Sequence, residues 1–227
     1  MEILNDLIAL LSSFIDIMLH LDVHLNALAT SMGGWTYVIV FLVVFCETGL
    51  IVLPFLPGYS LLFALGALTA TEGAYLSLPL LAVLLITAGI LGDAVNYAVG
   101  RWFGPRIFSR EDSFWFHKDH LVKTQKFYDK YGGKTIVLAR FMPIIRTFAP
   151  FVAGIGNMQY RRFAIFNVTG AVSWVMIFLV AGNYFGNIPA VKRNFHIVII
   201  AIILISVMPM AIEVLRAQLE KKKAALL

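Results

Sequence analysis

Four ionisable residues stand in stretches of sequence that are otherwise apolar: Glu47, Asp93, Arg140 and Arg146. An ionisable side chain inside a membrane costs ~2.5–3.5 kcal/mol on insertion scales, so it normally faces a cavity or a partner. Arg140 and Arg146 are six positions apart, across Pro143. A straight helix would set them ~120° apart around its axis, whereas a bend at Pro143 could bring both guanidinium forks to one point. Two permanently charged planar forks suit a phosphate, which offers several acceptor oxygens. Glu47 is a candidate proton carrier, because a carboxylate exposed alternately to two sides can load and release a proton. Asp93 shares a helix face with Tyr97 at i, i+4, and serves either in proton coupling or as a polar helix-end group. The plain alternative for all four is a set of buried ion pairs that only fix helix packing. The phosphate reading requires both arginines in a crevice open towards lipid.

The elements that must hold these residues follow from composition. The chain has 227 residues, 60% of them apolar and 14% charged, with mean hydropathy +0.84. Soluble domains carry nearer ~45–50% apolar and ~25% charged residues, so a soluble enzyme and a disordered chain are excluded. A single cysteine, Cys46, excludes a disulfide scaffold. What remains is an all-α integral membrane protein of one domain. Residues 1–100 contain seven acids and no Lys or Arg, so all 18 basic residues follow. They interleave with apolar spans, which argues for cytoplasmic loops rather than a nucleic-acid surface.

Three stretches read as plain spans: 73–100, 163–186 and an extra C-terminal span, 194–213. The tail 214–227 is basic, which predicts a cytoplasmic C-terminus. Two further apolar stretches are broken. One, 35–70, contains Glu47 and then Pro54, Pro57 and Gly58; the other, 135–158, contains Arg140, Pro143, Arg146 and Pro150. A break in hydrocarbon survives only where protein or a water-filled cavity satisfies the freed backbone groups. Both stretches are therefore expected to be re-entrant helical hairpins, a kinked ordinary span being the alternative. Phe55-Leu56-Pro57 matches Phe141-Met142-Pro143 at an offset of 86, and Gly100-Arg101-Trp102-Phe103-Gly104 matches Gly182-Asn183-Tyr184-Phe185-Gly186 at 82. Arginines follow the first span and precede the second, so the two hairpin-plus-span halves are expected in opposite orientations, an inverted repeat.

Between the halves, 111–134 carries Phe114, Leu121 and Tyr128 on one face and Lys123, Lys126, Lys130 and Lys134 roughly opposite. That pattern predicts an amphipathic helix on the inner surface or packed on the hairpins. Residues 1–30 read as an acid-dotted N-terminal helix. Asp16, His20 and His24 share a helical face, and His117 and His120 are three apart, but neither set completes a metal site. No cofactor is expected either: Gly-rich phosphate loops and hydrolase motifs are absent from the sequence.

The segments Phe45-Cys46-Glu47-Thr48-Gly49, Pro54-Phe55-Leu56-Pro57-Gly58, Gly92-Asp93-Ala94-Val95-Asn96-Tyr97 with Gly100-Arg101, and Ala139-Arg140-Phe141-Met142-Pro143-Ile144-Ile145-Arg146-Thr147 resemble the DedA family. The resemblance covers about Leu19 to Glu213. It implies a bacterial inner-membrane protein with two oppositely oriented re-entrant hairpins and a role in membrane lipid homeostasis. It also implies movement of lipids between leaflets, undecaprenyl phosphate and phospholipids included, with dependence on the proton-motive force. The family's essential acid falls on Glu47 and its essential arginines on Arg140 and Arg146. Where the family commonly has an acid after Pro-Gly, this chain has Tyr59, whose phenol, with an ordinary pKa of ~10, does not cycle a proton near neutrality.

The expected function is thus that of a flippase or scramblase for a phosphate-bearing lipid. Arg140 and Arg146, with Pro143 and Tyr59 beside them, bind the headgroup, and Glu47 and Asp93 respond to protons. Membrane lipids and protons are the expected partners; self-association is left open. A proton-coupled exporter of small ions or cationic drugs, with Glu47 binding the solute, is the alternative; a non-transporting scaffold is a third.

Overall fold

The computed structural model describes residues 21–50, 58–71, 74–108, 132–142, 145–186 and 188–194, with positions 197, 198, 200, 201 and 208 beyond them. Residues 1–20, Pro54, Pro57, Pro143, most of the expected 111–134 helix, most of the 194–213 span and the 214–227 tail lie outside the described residues. The described elements are all helices: α1 Leu21–Met32, α2 Trp35–Gly49, α3 Gly58–Thr69, α4 Leu78–Phe108, α5 Lys134–Ala139, α6 Ile145–Ile155, α7 Tyr160–Gly186 and α8 Pro189–Arg193.

Two of them are long and apolar enough to cross a bilayer: Leu78–Phe103 of α4, 26 residues, and α7, 27 residues. At 1.5 Å per residue each reaches ~40 Å, more than the ~30 Å hydrocarbon core. α4 begins five residues later than the expected 73–100 span, with Pro79 in its first turn, where a missing N–H costs nothing. α7 begins three residues earlier than expected and takes the exposed Arg161 and Arg162 into its first turn. Ahead of it, Asn157 at φ 52° ends α6. Asn157 N donates to the Gly154 carbonyl at 3.1 Å and Met158 N to the Ala153 carbonyl at 3.0 Å. This is the paired closure in which a left-handed residue satisfies the last carbonyls of a helix.

Both broken stretches are helix–break–helix, α2 with α3 and α5 with α6. One sequence expectation is corrected: Pro150 and Arg146 do not interrupt the second stretch, because α6 runs through both. The break there is confined to the residues between Ala139 and Ile145. A proline removes one donor, and the packing of α6 against α4 tolerates that loss.

α4 and α7 run antiparallel. The Tyr97 and Phe163 rings stack at 4.4 Å, Asn167 Nδ2 donates to the Ile90 carbonyl at 3.0 Å, and Gly89 faces Ala171. α2 starts beside the start of α4, where Ser77 N donates to the Tyr37 hydroxyl at 2.6 Å. α3 finishes beside the end of α7, where Asn183 Nδ2 donates to Thr69 Oγ1 at 3.0 Å. α5 starts at the opposite end of the bundle, with Gly133 against Phe166. α6 finishes there, with the Tyr97 hydroxyl donating to the Met158 carbonyl.

Four glycines allow the closest crossings. A Cβ at Gly66 would fall on the Leu179 carbonyl and one at Gly182 on the Phe63 carbonyl. In the other crossing, a Cβ at Gly100 would meet the Phe151 carbonyl and one at Gly154 the Tyr97 carbonyl. Small residues let helix backbones approach this closely, which is how helices gain contact where lipid removes the usual hydrophobic drive. The bundle shows an apolar surface and buries a polar set within its apolar core. Val83, Leu91, Ile165 and Ile177 are exposed, whereas Glu47, Asp93, Asn96, Arg140, Arg146 and Asn167 are buried.

Candidate functional site

Each buried charge owes its position to a helix end or a span interior. Glu47 lies in the last turn of α2, fully enclosed. Its Oε1 accepts from Gly58 N, the first residue of α3, at 3.0 Å. A carboxylate at a helix N-terminus is favoured by the orphan N–H groups there. The same oxygen pairs with Arg146 Nη2, from the second residue of α6. The ends of the two broken stretches thus meet through one ion pair, formed between residues 99 positions apart.

Arg140 follows α5 directly, and its backbone N donates to the Ile136 carbonyl at 3.3 Å. Its Nη2 pairs with Asp93 on α4 and donates to Asn167 Oδ1 on α7 at 2.7 Å. Its carbonyl accepts from the Tyr59 hydroxyl at 2.9 Å. The two guanidinium groups converge on one ring: Arg146 lies 5.2 Å and Arg140 5.9 Å from the centroid of Trp174. Arg146 also lies 4.7 Å from the Tyr59 ring, and Tyr59 meets Trp174 edge-on at 6.0 Å. Aromatic faces stabilise a desolvated guanidinium by ~2 kcal/mol or more.

The sequence-predicted residues Glu47, Gly58, Tyr59, Asp93, Arg140 and Arg146 therefore come together in one buried cluster. Asp93 pairs with Arg140, while Tyr97 on the same helix donates its hydroxyl to the Met158 carbonyl. One expectation about the cluster is corrected. The arginines do not line a crevice open to lipid: they are 3% and 6% exposed. The physical reason is that each guanidinium already has a carboxylate as counter-ion, so the helices close over a neutral set.

Closure is incomplete in hydrogen bonding. Arg140 Nε and Nη1, Arg146 Nε and Nη1, Trp174 Nε1, Asn96 Oδ1 and Glu47 Oε2 are buried without a partner among the described residues. Thr48, Asp93, Ile136, Arg140, Arg146, Pro150 and Trp174 line a cavity of about 10 Å³, room for about one water. Chemically, the cluster is a neutral set of two ion pairs with surplus guanidinium donors, held closed by its own acids.

Trp174, Asn96 and Asn167 belong to this site and carried no role in the sequence reading. Asn96 Nδ2 donates to the Thr48 carbonyl at 3.2 Å and the Thr147 carbonyl at 2.6 Å. These are the residues immediately after Glu47 and Arg146. An amide inside an apolar span is a signal in itself, and both asparagines had it; Trp174 differed from other span residues in nothing but size.

Comparison with known proteins places the chain among membrane proteins. The VTT domain matches residues 56–184. Protein DedA of Escherichia coli K12 is 53% identical over 211 residues, covering 93% of this chain and 96% of that protein. An uncharacterised membrane protein of Mycobacterium tuberculosis H37Rv is 39% identical over 82% of this chain and 81% of its own length. The inner membrane protein YqjA of E. coli K12 is 34% identical over 70% and 71%. No solved structure matches the chain. With its buried charges on helix ends, its two membrane-length helices and these relatives, the chain belongs to the DedA family of membrane proteins.

Proposed function

We propose that this protein moves a phosphate-bearing lipid, such as undecaprenyl phosphate or a phospholipid, between the leaflets of a bacterial inner membrane. The observation that carries the reading is the convergence of Arg140 and Arg146 on Trp174 with Nε and Nη1 of both unpartnered. Buried donors are rarely left unmade, since each costs ~1–3 kcal/mol. A tetrahedral oxyanion has the acceptors to use them. In this reading the enclosed state is the resting one, in which Glu47 holds the place of the phosphate; protonating it frees Arg146 and opens to lipid the crevice that the headgroup needs. That links headgroup binding to protons and so to the proton-motive force. The tail stays in lipid throughout.

The architecture proposed with it is an inverted repeat of two re-entrant hairpins, each followed by a span. The glycine crossings support it, because they exchange under two fixed offsets. Adding 82 to Gly100 and subtracting 88 from Phe151 turns one contact into Gly182 with Phe63; the same operation turns Tyr97 with Gly154 into Leu179 with Gly66. The hairpin offset exceeds the 86 of the proline motifs by two, which fits two more residues between Pro143 and Arg146 than between Pro57 and Gly58. In the exporter alternative Glu47 would bind a cation; its pairing with Arg146 weighs against that.

Exchange of a fluorescent phospholipid in proteoliposomes tests the proposal. With Arg140→Gln and Arg146→Gln together, in protein that still folds, exchange should fall to the protein-free rate. Exchange unchanged from wild type would refute it.

A further inference from the structure

The two arginines are not held alike. Arg140 is fixed to both long helices: Nη2 engages Asp93 on α4 and Asn167 on α7. Asn167 itself bonds the Ile90 carbonyl, so the guanidinium is seated in an existing α4–α7 cross-link. The rest of its fork is pressed between two glycines. A Cβ at Gly89 would lie 3.0 Å from Nη1 and one at Gly170 would lie 3.3 Å from Nε. The Tyr59 hydroxyl holds its carbonyl as well. Among the described residues Arg146, by contrast, has one side-chain acceptor, Glu47, reached through Nη2 alone, and otherwise the faces of Tyr59 and Trp174. Aromatic faces leave the N–H edges of a guanidinium unused. The backbones around this pair are anchored, since Asn96 binds the carbonyls of Thr48 and Thr147. What can change at low cost is the side-chain pairing.

We infer that the cluster divides its labour: the Asp93–Arg140–Asn167 set is a fixed post joining α4 and α7, and the Glu47–Arg146 pair is the exchangeable contact, at which an incoming phosphate oxygen replaces Glu47. The cavity that Arg146 shares with Asp93 and Arg140 has room for about one water, too little for a phosphate group, so the group reaches Arg146 only when the Glu47 carboxylate leaves its place. Gly58, at the start of α3, follows that movement, because its N–H is the other donor to Glu47 Oε1. The inference rests on the transport reading only for the lipid source of the phosphate.

Full-length protein in neutral detergent is heated alone, with inorganic phosphate, or with short-chain phosphatidylglycerol. The same variants are assayed for exchange of fluorescent phosphatidylglycerol in phosphatidylethanolamine/phosphatidylglycerol vesicles. Glu47→Gln with Arg146→Gln keeps the pair neutral, so it should unfold near the wild-type temperature yet lose the lipid-induced upward shift and at least about tenfold in exchange. Asn167→Ala should unfold several degrees lower and keep the lipid-induced shift. Arg146→Lys, which retains the charge without the fork, should fold and keep only part of the shift. The inference is overturned if Asn167→Ala loses the shift while the Glu47/Arg146 pair variant keeps it, or if neither probe shifts the wild type. A shift by inorganic phosphate equal to that by the lipid supports the exchange at Arg146 with the free ion as ligand. A wild type that moves no lipid while the thermal results divide as stated refutes the transport reading and leaves the division standing.

Discussion

Asp93 and Arg140 meet inside the bundle, where removing one partner leaves the other charge uncompensated. Arg140→Gln alone, or Asp93→Asn alone, should destabilise by ~3–5 kcal/mol, and the two together by much less. Thermal unfolding in detergent gives the double-mutant cycle; additive losses would mean the pair does not couple. Tyr59 supplies a weaker restraint. Tyr59→Phe keeps the ring 4.7 Å from Arg146 but leaves the Arg140 carbonyl without its hydroxyl donor. The expected cost is ~0.5–1.5 kcal/mol. The proposed proton dependence rests on Glu47. Protonation removes the negative charge that pairs with Arg146, so exchange of a phosphodiester lipid should be faster at lower pH. Glu47→Gln should flatten that profile, and a variant still tracking pH like the wild type would assign the dependence elsewhere.

The helices depend on glycine at their crossings. Gly66→Ala and Gly154→Ala each drive a methyl group into a carbonyl of the opposing span. Overpacking of this kind costs ~1–3 kcal/mol, so both variants should unfold at lower temperature, and to a similar degree if the halves are equivalent. Gly34 is the control. It caps α2 with φ −61° and ψ −26°, and a Cβ there meets nothing within 4 Å. Gly34→Ala should therefore be neutral or stabilising by ~0.4–1 kcal/mol, because alanine adopts the same backbone with less entropy to lose. A loss at Gly34 as large as at Gly66 would mean that the crossings are not the cause.

For the whole molecule, exposed aromatic residues mark two ends. Trp35, Tyr75 and Tyr184 lie at one and Trp102 and Tyr160 at the other, as expected for side chains at the two membrane interfaces. The second end carries Arg101, Arg106, Lys134, Arg161 and Arg162, against Lys192 and Arg193 at the first. The proposed orientation therefore has the Tyr160 end in the cytoplasm. With Cys46→Ser as background, Tyr75→Cys should react with an impermeant maleimide from the periplasmic side, and Tyr160→Cys only after permeabilisation. The opposite pattern would invert the topology.

Membrane residence and the cluster's charged members were legible in the sequence, because a charge in an apolar stretch is too costly to lack a purpose. That each apolar stretch is broken was legible for a similar reason, since proline removes a helical donor, but Pro150 lies inside α6 and shows that proline alone does not say where the break falls. Pairing was not legible. Nothing in the spacing of Glu47, Asp93, Arg140 and Arg146 says which acid meets which arginine, because each pair joins different helices, 99 and 47 positions apart. Trp174 was silent for the same reason, and the asparagines, though polar within spans, gave no sign of their partners: their role lies in what the other helices bring to them. The sequence by itself determined that charge must be sheltered in lipid. Only the tertiary structure decided that the shelter is mutual, because counter-ions from separate helices neutralise one another where water cannot.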